Sequence, residues 1–147
     1  MNEGGIEPML SKWMLVVLFG LEAHFAASYL VPLDERTGKE FGGLLRWFWP
    51  WSYGDGGLIG QITPATGFPI VGFWVAMMAA ALLALAALAA VGLWVPVAWW
   101  PVLAVAGAAA LLCLLGLFVG PTKVIPMLFA LGTVYLALTR PAVFATG

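Results

Sequence analysis

Charge is what this sequence has least of. From Gly56 to Thr139 the only charged side chain is Lys123, and the whole chain carries 6 Lys and Arg, 7 Asp and Glu, 1 histidine and 1 cysteine. A formal net charge of -1 leaves no concentrated basic face, which excludes nucleic acid as a partner. Cys113 lies alone in an apolar run, so it makes no intramolecular disulfide and packs as a small hydrophobe. One histidine and one cysteine are too few for a zinc site, and neither a phosphate loop ending in Lys-Ser/Thr nor a G-x-S-x-G elbow occurs. These absences argue against an enzyme acting alone. Asp34, Glu35, Arg36 and Asp55 are left as polar groups able to meet a lipid headgroup or a quinone at a surface.

What is present is apolar: 63% of residues are hydrophobic and the mean hydropathy is +1.03. The length suits one domain, and a fold this small cannot hide so much apolar surface from water, whereas a bilayer solvates it directly. The expectation is an all-α, multi-pass protein of the cell membrane with the lipid bilayer as its surroundings. Four spans are predicted within a single domain over 1–147: 13–31, 69–93, 98–119 and 122–139. The acidic start, with Glu3 and Glu7 before Lys12, argues against a cleaved signal peptide and for a retained first span. Its 19 or so residues cover roughly 28 Å, enough for the hydrocarbon core. Pro96, Gly120-Pro121 and Arg140-Pro141 punctuate the later spans, and the short turns between them predict antiparallel neighbours in a four-helix bundle.

Small residues crowd these spans: Gly72, Ala76, Ala79, Ala80, Ala86, Ala87, Ala90, Ala104, Gly107, Ala108 and Gly116. In lipid, such faces mark close helix contacts. Trp94, Trp99 and Trp100 cluster at the turn between spans two and three, where indole rings anchor at the headgroup level. The connection before span two is the polar part of the chain. There Thr37 and Glu40 have capping-box spacing, and Phe41, Leu44, Leu45 and Phe48 follow at helical intervals, predicting a short amphipathic helix on the membrane surface over 37–51. Trp47, Trp49 and Trp51 at its end are further interface anchors. The segment reads either as a clamp over the bundle or as a docking surface or lid. The positive-inside count, four basic residues against two, nominally puts this connection in the cytoplasm and both termini outside, but its acidic neighbours offset that count and both orientations stay open.

Two ionisable residues interrupt the first span. Glu22 and His24 sit near its middle, where such groups are functional candidates, and a spacing of two puts them about 200° apart on a helix. Glu22 shares a face with Leu15, Leu18, Phe19, Ala26 and Tyr29, and its partner must come from another helix: Thr133, Tyr135 or Lys123. It reads either as a buried carboxyl fixing the packing or as a proton or cation site with Thr133 and Tyr135. His24, beside Gly20, Ala27 and Ser28, reads as an interhelical histidine, a proton relay or the single axial ligand of a tetrapyrrole.

The order of these features, with one helix, an interfacial connection, three closely spaced helices, the stretch Trp99 to Gly107 and the break at Gly120-Pro121, resembles the small four-helix DoxX-like membrane proteins. The resemblance covers Trp13 to Leu138 in layout. It implies a subunit or partner of a membrane oxidoreductase system, some of which are quinone-linked. The long Trp-rich connection departs from the family's pattern, and no functional residue is carried over. Three functional readings stand: a non-catalytic accessory or structural subunit of a larger membrane complex, redox or electron-transfer complexes included; a small proton- or cation-coupled transporter or channel using Glu22; and a tetrapyrrole-binding protein using His24. The first implies other membrane subunits or copies of the same chain as partners, and no cofactor is fixed by the sequence.

Overall fold

Proline sets where the helices begin. The computed structural model describes residues 7–30, 68–117 and 123–139, and in these it has four α-helices: α1 (Glu7–Ala27), α2 (Phe68–Ala90), α3 (Trp100–Leu117) and α4 (Val124–Thr139). Pro8, Pro69 and Pro101 are each the second residue of their helix, and Pro126 is the third of α4. A first-turn proline gives up an N–H that has no intrahelical partner and brings a φ already suited to the helix. No strand occurs among the described residues. Short 3-10 turns at Ser28–Leu30 and Val97–Trp99 follow α1 and precede α3.

Three stretches, Lys12–Leu30, Val71–Ala90 and Val97–Leu117, are long and apolar enough to cross a membrane, and Val124–Thr139 is a shorter apolar helix. By length and composition this is the character of a membrane protein. The predicted span limits shift in physical detail. The first apolar stretch, Lys12–Leu30, lies within one residue of the predicted 13–31, while the helix itself extends back to Glu7, because Pro8 opens it and the charges before Trp13 do not interrupt it. α2 stops at Ala90 rather than Leu93, at a Schellman motif: the Leu93 N–H donates to the Leu88 carbonyl at 2.9 Å and the Gly92 N–H to the Ala89 carbonyl at 3.0 Å. Gly92 has φ +70°, the left-handed conformation this cap requires. The interfacial segment 37–51, with Trp47, Trp49 and Trp51, lies outside the described residues.

Each helix packs on the next, and α4 returns to α1 through a narrower contact. The inward stripes repeat at alternating intervals of four and three residues: Leu15, Phe19, Glu22 and Ala26 on α1, continued by Tyr29 in the turn after it; Ala76, Ala79, Leu83, Ala86 and Ala90 on α2; Trp100, Ala104, Gly107, Leu111 and Leu114 on α3; Pro126, Ala130, Thr133 and Ala137 on α4. This spacing suits helices that cross at shallow angles. Two clusters form the core. One joins Leu15 and Phe19 to the end of α2, the start of α3 and Ala137 near the end of α4. The other joins Phe25, Ala26 and Tyr29 to the first half of α2, the second half of α3 and Ala130. Consecutive helices therefore run in opposite directions.

The closest approach is between α2 and α3. A Cβ placed on Gly107 would stand 2.7 Å from Leu83 Cγ and 3.1 Å from the Leu83 backbone nitrogen, so glycine is what allows these backbones to meet. Gly116, one of the small residues expected at a helix contact, instead faces open space. It lies two and a half turns beyond Gly107, about 180° around the helix, which turns it outward.

Candidate functional site

Polar chemistry in the described interior gathers where α1 meets α4. Glu22 is 0% exposed, and its Oε1 accepts a 2.8 Å hydrogen bond from the Thr133 hydroxyl. Both residues occupy their helices' inward stripes, whose periodicity carries them to the same level in opposite directions. Glu22 Oε2 is equally buried and makes no hydrogen bond among the described residues. The other walls offer nothing ionisable: α2 has no ionisable side chain, and α3 has only Cys113, which is exposed. A carboxylate held by one neutral hydroxyl in such surroundings would lose several kcal/mol of solvation or more, roughly, while a neutral carboxylic acid leaves an unmade hydrogen bond worth about 1–3 kcal/mol.

Tyr135 does not join this pair. It is 64% exposed, because two residues on from Thr133 a helix has turned by about 200°. Lys123 does reach the interior: it is 1% exposed, and its ammonium lies 5.2 Å from the centre of the Tyr29 ring, within range of a cation–π attraction. Between the two levels the Phe25 and Phe129 rings meet at 6.1 Å. From Glu22 to Tyr29 is seven residues, about 10 Å along α1 and the 3-10 turn that continues it. The seam thus holds a carboxyl–hydroxyl pair at mid-height, an aromatic pair next to it and an ammonium on a phenol ring at one end.

The residues around His24 do not form one cleft. Gly20 is exposed with open space beside it, His24 is half-buried, and Ser28 is buried with its hydroxyl donated to the Phe25 carbonyl at 2.7 Å. An apolar groove of about 480 Å³ does occur on α1, lined by Trp13, Met14, Val17, Leu18, Leu21 and Phe129; His24 is not among its walls. Among the described residues no three His, Cys, Asp or Glu side chains come together to hold a metal.

The tryptophans expected together at the membrane interface divide. Trp94, with φ +62°, is 88% exposed and Trp99 is 59% exposed. Trp100 is 1% exposed and stacks on Phe19 at 6.0 Å, so it is a core residue that joins α3 to α1. Sequence reasoning missed this because neighbouring tryptophans were read as one feature; the four-residue step from Trp100 to Ala104 and the three to Gly107 were the signal that separates them. No protein-family model matches the chain, and neither a curated protein nor a solved structure is significantly similar to it.

Proposed function

We propose that this chain is a multi-pass protein of the cell membrane whose four antiparallel helices form a single-domain bundle, and that it serves as a non-catalytic accessory or structural subunit of a larger membrane complex. The observation that carries the reading is an inverted distribution of side chains. Glu22 and Lys123 are buried, while Trp13, Met14, Val17, Trp74, Met78, Leu128 and Leu138 are exposed. That arrangement is unfavourable in water and natural in hydrocarbon. α4, with 16 residues, extends about 24 Å and counts as the fourth span.

Support for the accessory role comes from what the interior and exterior offer. The interior is filled by alanine, leucine and aromatic side chains, with one carboxyl and one hydroxyl at mid-height. The outer face of α3, by contrast, runs through Val102, Ala106, Ala109, Cys113 and Gly116, small side chains that let another helix approach closely. The DoxX-like layout points to redox or electron-transfer assemblies as the setting. Native mass analysis of the protein released from its own membrane in mild detergent tests the proposal. Co-migrating subunits, or copies of the chain cross-linked through Cys113, are the expected result, and a stable lone monomer carrying its own substrate would overturn it.

A further inference from the structure

We infer that Glu22 is a proton-binding site that latches the α1–α4 seam: the neutral carboxyl holds the seam shut on Thr133, and loss of its proton opens it. This rests on the membrane-embedded reading of the chain and adds a ligand to it. The chemistry of the donors selects the proton over a metal cation. A sodium or calcium ion requires a shell of about six oxygens, and here one carboxyl and one hydroxyl meet among backbone carbonyls already engaged in helices. A proton requires one oxygen. Oε2 is that atom: it is buried, it makes no hydrogen bond among the described residues, and its neighbour Oε1 is the one Thr133 donates to.

Among the described residues no other charged group compensates a carboxylate at this point. On α1 itself His24 projects about 200° away. α2 carries no titratable side chain, and on α3 the Cys113 thiol is exposed. On α4 Tyr135 is exposed, and Lys123 stands ten residues from Thr133, about 15 Å along the helix. When the Oε2–H bond breaks, the proton must pass to water and the remaining carboxylate must be hydrated. Water has one weak wall to enter by, because the α1–α4 contact is the narrowest between neighbouring helices, and the groove bordered by Leu18, Leu21 and Phe129 thins it from outside. Proton loss and seam opening are therefore one event.

The test uses the full chain in phospholipid nanodiscs. Infrared spectra across a pH series should show a carboxylic-acid carbonyl band that bleaches as pH rises and is missing from Glu22→Gln. Thr133→Val keeps the carboxyl but removes its donor, so the same band should move to higher frequency; this variant carries the test if Glu22→Gln fails to fold. Spin labels at Val17→Cys and Leu138→Cys, in a Cys113→Ser background, should separate on alkalinisation in the parent and stay at the short distance in Glu22→Gln. Absence of any acid band assignable to Glu22 overturns the site, and a band that bleaches with no change in distance overturns the latch. Carbonate extraction run in parallel tells the two readings apart: a protein released from its membrane refutes membrane embedding, whereas one retained without the band refutes the proton site alone.

Discussion

The α2–α3 seam and the α1–α4 seam are built from opposite materials. α2 meets α3 through small side chains, with Gly107 set against Leu83 so closely that a single added carbon has no room. α1 meets α4 through a carboxyl and a hydroxyl, two tilted phenyl rings and a lysine over a tyrosine. The first is a short-range partnership, closed by a turn at Gly92 and needing only dispersion. The second joins the two ends of the chain and relies on directional contacts across a wider gap. Tight apolar packing tolerates no change of shape, whereas a seam of discrete polar contacts can be undone one contact at a time.

The comparison can be broken at its stronger side first. Gly107→Val should cost about 3 kcal/mol, since overpacking a filled contact forces backbones apart; denaturation in mixed micelles followed by circular dichroism measures it, and an unchanged midpoint would remove the close approach from the account. The polar seam should be softer. A double-mutant cycle with Glu22→Leu and Thr133→Val is expected to give a coupling near 0.6 kcal/mol, the usual scale for hydrogen bonds between membrane helices, and a coupling of zero would mean that the 2.8 Å contact does not hold the seam. Lys123→Met should cost about 0.5 kcal/mol in the same assay, because the lost cation–π attraction is partly offset by no longer burying an ammonium. The smallest effect sharpens the contrast within one helix: Gly116→Ala, with open space around it, should raise stability by about 0.5 kcal/mol through helix propensity, opposite in sign to Gly107.

Much of the architecture was readable because its cause is local. Long stretches without charge announce helices of membrane length, and turn signals such as Pro96 separate them. Helix starts were readable in principle from Pro8, Pro69, Pro101 and Pro126, whereas hydropathy marks only the apolar stretch within α1, Lys12–Leu30. Facing was harder. Thr133 and Tyr135 are equally plausible partners for Glu22 until the phase of α4 is known, and that phase follows from Ala130 and Ala137, which flank Thr133 at three and four residues and are buried with it. The same ambiguity hid Trp100 behind Trp99. In a nearly uniform apolar helix, hydrophobicity carries little information about which side faces in, and on α3 small residues line both the inner and the outer face.

The bond between Thr133 and Glu22 spans 111 positions of sequence, and that distance is also an interval of time. At about 5–20 residues per second during synthesis, the carboxyl emerges roughly 6–22 s ahead of the hydroxyl that will donate to it. In the membrane-embedded reading, the first helix and the α2–α3 hairpin are therefore in place before α4 exists. Glu22 makes its entry as an orphan, which selects a newborn helix that arrives either neutral or still wet.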